Sequence, residues 1–323
     1  MSYPTTRLRR LRYNKAIRDL VDDTNLSTTD LIYPIFVCEG KNIKKEIKSM
    51  PGQYQLSIDN VLKTCDELVS KNINSIILFG IPSKKDEEGL VAIDNNGIVQ
   101  RAIKEIKKNN KNILVIVDVC NCQYTTHGHC GTIKDGDVDN DSTLKNLGSQ
   151  ALSLVNAGAD VIAPSDMMDG RVKYIRDILD KSNYHKIPIF SYSIKYASSF
   201  YGPFRNATDI STNFTDRKTY QMSFKSSNEA LREAEMDIKE GVDVIIIKPA
   251  LSYLDILYKI KSKYNIPVIA YNVSGEYSML KAASEKKWIK SKETIIEILT
   301  SMKRAGANAI ITYHALEVSD YLN

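Results

Sequence analysis

The chain has 323 residues, of which 43% are hydrophobic and 26% charged, and its net charge is +5. This composition is typical of a folded globular protein and excludes a disordered chain, a collagen-like fibre and a small disulfide scaffold. Basic and acidic residues are interspersed apart from one basic run at 7–12, so we expect no nucleic-acid partner. The sequence contains no run of 18 apolar residues and no apolar N-terminal segment, so we expect neither a membrane span nor a secretory signal.

The sequence contains five cysteines. An odd number of cysteines without a secretory signal indicates a reducing compartment, because disulfide frameworks use cysteines in pairs. We therefore expect a cytoplasmic protein.

Eight short, β-rich apolar runs recur along the chain. They lie at 32–36, 75–79, 113–119, 160–163, 187–192, 243–248, 266–271 and 308–312. Their continuous apolar character indicates strands that are buried on both faces. Segments with helical spacing lie between them, for example at 57–71, 143–157, 227–240 and 293–305, with Ser57 and Ser227 as candidate N-caps. Eight strands alternating with helices predict an α/β protein with a (β/α)8 TIM barrel.

A doubly wound open sheet is the alternative fold. It is disfavoured because no glycine-rich dinucleotide-binding motif follows any of the eight runs. A barrel of eight strands and their helices does not account for two segments of the chain. We predict that residues 1–30 form an extended N-terminal arm, that residues 31–323 form the barrel domain, and that residues 196–226 form a long connection over the site.

The predicted strands end in polar and ionisable residues. Barrel active sites lie at the C-terminal ends of the strands. The residues at or just beyond the ends of runs three to eight are Asp118, Ser165, Lys195, Lys248, Ser274 and Tyr313. This repetition at one rim predicts an active site there.

Two of these strand-end residues are lysines on consecutive strands, Lys195 and Lys248. Desolvation and a nearby second cation both lower the pKa of an amine. A neutral amine is a nucleophile toward carbonyl groups and can form a Schiff base. The alternative interpretation is that each lysine reaches solvent or pairs with a carboxylate.

Three cysteines lie within eleven residues, at Cys120, Cys122 and Cys130, with His127 and His129 between them. Three protein ligands leave a fourth position open, which is the arrangement of a catalytic zinc. The alternative interpretation is a set of reduced, partly buried thiols. The two histidines are better explained as loop residues or as neighbours of the ligands than as ligands.

The connection at 196–226 contains several aromatic residues together with Arg205, Arg217 and Gln221. This composition is typical of a lid that presents guanidinium groups to a substrate carboxylate. The alternative is a surface loop whose aromatic residues pack on the barrel. The residues alone thus predict a barrel enzyme with carbonyl–amine chemistry, a thiolate metal site and an acidic substrate.

Several long runs together resemble the porphobilinogen synthase (5-aminolevulinate dehydratase) family. They include RLRRLRYN, DVCNCQYTTHGHCG, APSDMMDGRV, SYSIKYASSFYGPFR, KPALSYLD and VSGEYSM, in the order in which the family has them, and the resemblance extends from Arg7 to about Leu322. That family is a lyase family that condenses two 5-aminolevulinate molecules into porphobilinogen with loss of two waters. The reaction is the first common step of tetrapyrrole and heme synthesis.

The resemblance implies a role for each matching residue. Lys195 and Lys248 would form Schiff bases with the two substrates. The carboxylate of one substrate would bind Arg205, Arg217 and Gln221, and that of the other would bind Ser274 and Tyr313. Asp118 and Ser165 would contact the substrate amine near the metal.

The resemblance also implies cofactors and partners. Cys120, Cys122 and Cys130 match the zinc-binding form of the family motif, and Glu233 matches a glutamate that binds a regulatory magnesium ion. The alternative for Glu233 is a solvated residue on a helix face. Family members form homo-octamers in which N-terminal arms such as 1–30 wrap neighbouring subunits. Two other functions stay open at this point, a class I aldolase-like Schiff-base lyase and a non-catalytic zinc-binding scaffold.

Overall fold

A computed structural model of the chain describes residues 2–210 and 216–322, and eight parallel strands form its centre. They are β1 (Leu31–Cys38), β2 (Ser75–Ile81), β3 (Leu114–Val119), β4 (Val161–Pro164), β5 (Phe190–Lys195), β6 (Val244–Lys248), β7 (Val268–Asn272) and β8 (Ala309–Thr312). Each of the eight predicted runs overlaps one of these strands. The predicted TIM barrel is confirmed.

The strands pair in the order β4-β3-β2-β1-β8-β7-β6-β5. A single parallel bridge between Ile162 and Ile189 joins the two ends of this row. The backbone N–H of Ile162 donates to the carbonyl oxygen of Pro188 at 3.1 Å. The sheet is therefore closed, and the C-terminal ends of all eight strands form one rim.

Helices connect the strands and surround the barrel. They are α1 (Lys15–Val21), α2 (Ile58–Ser70), α3 (Ile98–Asn109), α4 (Asn140–Asn156), α5 (Arg171–Lys181), α6 (Gly202–Ala207), α7 (Glu229–Glu240), α8 (Leu254–Lys263), α9 (Ser274–Glu285), α10 (Ser291–Arg304) and α11 (Ala315–Leu322). Ser57 is the N-cap of α2, as predicted. Ser227 is not a cap, because α7 begins one residue later with Asn228 at its N-cap.

The apolar residues form two large cores on opposite faces of the sheet, and a third, smaller cluster contains Ile210 and the three cysteines Cys120, Cys122 and Cys130. In β1, Tyr33 and Ile35 pack outward against the helices, whereas Ile32 and Phe36 pack inside the barrel. This follows from the two-residue period of a strand, whose successive side chains point to opposite faces. Because both faces are buried, the sequence shows continuous apolar runs instead of alternation.

The segment before the barrel is mostly exposed. It contains α1 and a 3-10 helix at Leu8–Leu11, and neither has a buried residue. Its exposed apolar side chains are Tyr3, Leu8, Leu11, Tyr13, Leu20 and Val21. No helix among the described residues is long and apolar enough to cross a membrane.

Short elements complete the chain. A hairpin of Lys44–Glu46 and Tyr54–Leu56 joins the edge of β1, and a two-residue ladder pairs Ile133–Lys134 with Asp137–Val138. The predicted lid at 196–226 contains α6 and a 3-10 helix at Ser199–Tyr201, so its first part is regular structure. Residues 211–215 of this segment lie outside the described residues.

Candidate active site

Lys195 and Lys248 are the last residues of β5 and β6, and they are direct partners in the ladder between these strands. Both are buried, with 4% and 6% of their surfaces exposed. The structure therefore excludes the interpretation in which either lysine reaches solvent. Two amines lie side by side at the rim of the barrel.

An irregularity in β5 brings Lys195 to the inside. Between Ile245 and Ile247 the partner strand advances by three residues, from Ser191 to Ile194. Tyr192 packs inside the barrel and Ile194 packs outside it. Without the additional residue, strict alternation from Tyr192 would place Lys195 on the outer face. The bulge thus turns the second lysine toward the first.

Aromatic rings surround the amine of Lys248. Its Nζ lies 4.6 Å from the ring centre of Tyr271, 5.0 Å from Phe204, 5.1 Å from Tyr192 and 5.3 Å from Tyr201. Burial, and then the charge of Lys195, lower the pKa of Lys248 to about 7, against the opposing effect of Asp118. About half of this amine is neutral near pH 7, whereas an amine with a pKa of 10.5 is almost wholly charged.

Lys195 faces the ends of β3 and β4. Its Nζ donates to the carbonyl oxygen of Ser165. Beside it, Gln123 Nε2 donates to Asp118 Oδ2 at 3.1 Å. Burial raises the pKa of the Asp118 carboxyl, and the two lysines and the Ser165 hydroxyl act in the opposite direction. Asp118 Oδ1 has no hydrogen-bond partner among the described residues, so one carboxylate oxygen remains available.

The sulfur atoms of Cys120, Cys122 and Cys130 lie within 4.8 Å of one another, and all three residues are buried. A tetrahedral zinc ion with Zn–S bonds of about 2.3 Å needs sulfur atoms roughly 3.8 Å apart, so the cluster fits this ion. The pKa of Cys130 lies well below its ordinary value because the thiols of Cys120 and Cys122 donate to it. Burial raises the pKa of Cys120 well above its ordinary value. Three thiolates this close require a cation to be ionised together.

The two arginines of the long connection reach the same region. Arg217 Nη2 donates to the carbonyl oxygen of Gly128 at 2.7 Å, and its Nη1 lies 3.7 Å from Cys130 Sγ. Burial and the charge of Arg217 lower the pKa of Arg205. Gln221 is buried, and its Nε2 has no hydrogen-bond partner among the described residues. Arg205 and Arg217 line one cavity together with the two lysines, whereas Gln221 is not among its lining residues.

The cavity between these groups is small. It measures about 20 Å³ and is lined by Asp118, Cys122, Gln123, Ser165, Lys195, Tyr201, Phe204, Arg205, Arg217 and Lys248. This volume holds about one water molecule. Phe204 is part of the cavity wall, and its backbone N–H donates to Ser274 Oγ at 3.0 Å. The cavity in this conformation is therefore too small for an organic substrate.

Ser274 and Tyr313 are not among the residues that line the cavity. The Ser274 hydroxyl also donates to the carbonyl oxygen of Phe200 at 3.3 Å. The hydroxyl groups of Tyr313 and Tyr271 are hydrogen-bonded at 3.0 Å. Ser274 therefore contacts the segment that carries Phe204, and Tyr313 contacts Tyr271, whose ring lies beside the Lys248 amine.

Glu233 lies on α7 and is not among the residues that line the rim cavity. It lines a groove of about 600 Å³ together with Asp169, Gly170, Arg171, Glu229, Arg232, Glu235, Met236, Asp237, Lys239 and Glu240. Burial raises the pKa of Glu233 to about 7, and Arg171 opposes this effect. The half-buried position excludes a fully solvated glutamate. This groove is larger than the rim cavity, but the two buried lysines and the three thiols are at the rim.

The sequence prediction missed two residues of the site, Tyr192 and Tyr271. Each lies within a predicted strand and was counted as part of the apolar run. A signal was available for Tyr271, which is the aromatic residue near the end of an otherwise aliphatic run, whereas Tyr192 lies between Ser191 and Ser193 and follows Phe190, so it does not stand out in this way. Their rings form two sides of the enclosure around Lys248.

Comparison with known proteins agrees with this geometry. The family profile described as delta-aminolevulinic acid dehydratase matches residues 5–321. A relative of that name from Bacillus subtilis is 52% identical over 322 residues and covers 100% of this chain and 99% of its own length. The chain belongs to the delta-aminolevulinic acid dehydratase family.

Other members of the dehydratase family are also similar to this chain over nearly its whole length. A relative from Methanothermus sociabilis is 54% identical over 98% of this chain and 99% of its own length. The crystal structure of the Toxoplasma gondii enzyme in complex with porphobilinogen, its reaction product, matches with a TM-score of 0.96 and 44% identity. The match covers 98% of this chain and 91% of that chain.

Proposed function

We propose that this chain is a porphobilinogen synthase, which condenses two molecules of 5-aminolevulinate into porphobilinogen with loss of two waters. The observation that carries the proposal is the pair of buried lysines, Lys195 and Lys248, in register at the ends of adjacent strands. Membership of the dehydratase family supports the same reaction.

Lys248 has an amine that is suited to nucleophilic attack. With a pKa of about 7, its neutral form is abundant at neutral pH. Its nitrogen lone pair attacks the ketone carbon of 5-aminolevulinate, and the carbonyl oxygen leaves as water, so that a C=N bond forms. Lys195 forms the corresponding Schiff base with the second substrate molecule, and the two bound molecules are then adjacent because the two lysines are adjacent.

The other side chains hold the substrates in place. Arg205, Arg217 and Gln221 bind the carboxylate of one molecule, and Ser274 and Tyr313 bind that of the other. Asp118 and Ser165 bind the substrate amine. The free Oδ1 of Asp118 supports this role, since it is buried beside both lysines.

Cys120, Cys122 and Cys130 would hold a zinc ion next to Asp118. A zinc ion with three protein ligands keeps an open position, where it acts as a Lewis acid and lowers the pKa of a bound group. The buried cluster of three thiols supports zinc over magnesium, because magnesium prefers oxygen ligands.

Glu233 is the candidate for a separate magnesium site that regulates activity. Its groove contains several carboxylates, and magnesium bound there would keep most of its waters. The groove and the rim cavity share no lining residue, so this ion would act without contact with the substrates.

The N-terminal arm, residues 1–30, supports a proposed homo-octamer. Tyr3, Leu8, Tyr13 and Leu20 expose between 69% and 83% of their surfaces, and burial against neighbouring copies would remove this apolar area from water. All five cysteines are free, which supports a reducing compartment such as the cytoplasm.

The two other functions are disfavoured by particular residues. A class I aldolase-like lyase needs one Schiff-base lysine and no metal, and it gives no role to Lys195 or to the thiol cluster. A zinc-binding scaffold needs no buried amine beside the metal site, so this function does not explain why Lys248 is buried there.

The proposal is tested by measuring porphobilinogen formation from 5-aminolevulinate with the purified protein. Wild type is compared with Lys195→Met, Lys248→Met and the control Lys259→Met, which changes an exposed lysine on α8. We expect turnover in wild type and in the control, and a loss of at least about 10³-fold in the other two, because each removes a nucleophile. Turnover by Lys248→Met within tenfold of wild type contradicts the assignment.

A further inference from the structure

A buried carboxylate, Glu276, connects the ends of two strands that carry proposed catalytic and substrate-binding residues. It lies in the first turn of α9, and only 2% of its surface is exposed. No role in the proposed mechanism accounts for an acidic side chain at this position. Burying a carboxylate is costly unless hydrogen bonds compensate for the lost water.

The Glu276 carboxylate accepts hydrogen bonds from both strand ends. Its Oε1 accepts from the backbone N–H of Leu251 at 2.9 Å. Its Oε2 accepts from the backbone N–H of Val273 and from Asn272 Nδ2, each at 3.0 Å. The backbone amide of Ala250 also faces it. All of these partners are donors, so they favour the ionised carboxylate and oppose the burial that raises the pKa of Glu276 to about 7.

The chain of hydrogen bonds continues to a third strand end. The Thr312 hydroxyl donates to Asn272 Oδ1 at 2.9 Å, and the His314 N–H donates to the Thr312 hydroxyl at 3.2 Å. We call Leu251, Asn272, Val273, Glu276 and Thr312 the strand-end network. All of them except Leu251 are buried.

The strand-end network lies next in sequence to three proposed substrate groups. Leu251 comes three residues after Lys248, Val273 immediately precedes Ser274, and Thr312 immediately precedes Tyr313. The Glu276 side chain therefore holds the first two of these segments directly. It holds the third through Asn272. A shift of about 1 Å in a catalytic group can reduce a rate by roughly 10²-fold.

We propose that Glu276 is a positioning residue, which sets Lys248 and Ser274 in place for one substrate molecule without contact with that molecule. The inference rests on the proposed function, since it requires a Schiff base on Lys248. Glutamine at this position would place an NH₂ donor against a backbone N–H, and one buried donor would lose its acceptor. Lys195 is on β5, which no hydrogen bond of this network reaches, so Glu276 influences its alignment only indirectly, through the pairing of β5 with β6.

The test measures imine formation at each lysine separately. The protein is mixed with 5-aminolevulinate and sodium borohydride, which transfers hydride to the imine carbon and leaves a stable secondary amine on the lysine. Peptide mass spectrometry then gives the initial rate of adduct formation at Lys248 and at Lys195, per mole of folded protein measured by near-UV circular dichroism. The variants are Glu276→Gln and the control Glu285→Gln, an exposed glutamate at the end of the same helix.

We expect the Lys248 adduct rate to fall at least about tenfold in Glu276→Gln and to stay at the wild-type value in Glu285→Gln. The Lys195 adduct rate should fall less, whereas a purely structural role would leave both rates unchanged, because each rate is expressed per mole of folded protein. A folded Glu276→Gln protein that labels Lys248 at the wild-type rate overturns the inference. Wild-type protein without an adduct at either lysine overturns the proposed function and the inference with it.

A second variant covers the case in which Glu276→Gln does not fold. Thr312→Val keeps the shape of its side chain and removes two hydrogen bonds, one to Asn272 within the strand-end network and one from the His314 N–H. We expect a fall of roughly threefold in the Lys248 adduct, as the one net hydrogen bond lost within the network would give. An unchanged rate in this variant also overturns the inference.

Discussion

Replacing Lys248 with methionine should stabilise the protein while it abolishes turnover. Methionine has a similar length and no charge, and it fits the ring enclosure formed by Tyr192, Tyr201, Phe204 and Tyr271. In wild type the folded state disfavours the charged form of the Lys248 amine, mainly because the amine is buried and secondly because the charge of Lys195 is nearby. The same environment that lowers the pKa of Lys248 therefore also lowers the free energy of unfolding of wild type.

The magnitude follows from the pKa of Lys248, which is lowered from 10.5 to about 7. One pKa unit corresponds to about 1.36 kcal/mol, so the cost at pH 7 is about 4 kcal/mol. Between the two pKa values the unfolded chain binds more protons than the folded one, and wild-type stability therefore rises with pH in this window. The advantage of Lys248→Met should fall to about 2 kcal/mol at pH 9.

The assay is urea unfolding of wild type and Lys248→Met at pH 7 and pH 9, at one fixed protein concentration because assembly also stabilises. Lys259→Met is the control, and its effect should stay within about 0.5 kcal/mol at both pH values, as is usual for an exposed position. The reasoning is refuted if Lys248→Met is less stable than wild type at pH 7, or if its advantage does not shrink at pH 9.

Three further predictions concern the metal sites and the substrate carboxylate. Cys122→Ala should lower bound zinc, measured by atomic absorption, and turnover together, because it removes one of three ligands; turnover that is independent of zinc content would argue against the role of the thiols. Glu233→Ala should remove stimulation of turnover by added Mg²⁺, and persistent stimulation would place that ion elsewhere. Arg205→Lys should raise KM for 5-aminolevulinate by about tenfold with a smaller change in kcat, since lysine cannot form the bidentate contact with a carboxylate; an unchanged KM would exclude Arg205 as a carboxylate ligand.

The positions of the site residues could be predicted from the sequence where they depend on strand ends. Lys248 follows an unbroken apolar run, so its place at the rim follows from the fold class alone. Lys195 was predicted at the rim as well, but its inward direction depends on the bulge between Ser191 and Ile194. A bulge depends on how two strands pair, and the sequence of one strand does not specify that pairing.

Features that depend on tertiary contacts were beyond the sequence prediction. From the sequence alone, Glu276 is an ordinary glutamate in the first turn of a helix. Its hydrogen bond to Leu251 forms only because β6 and β7 are neighbours in the sheet. The small cavity under Phe204 likewise depends on where α6 packs. The assignment of Ser227 as a cap failed by one residue because Asn228 is equally suited to that position.

The most direct test of the central claim is porphobilinogen formation from 5-aminolevulinate before chelation, after chelation and after zinc is added back. The account predicts that activity is lost on chelation and returns with Zn²⁺, because the reaction needs the two lysines and the ion held by the three thiols. Folded, zinc-loaded protein that forms no porphobilinogen would contradict the proposed function. Full activity after chelation would leave the lysine chemistry in place and contradict the role of zinc.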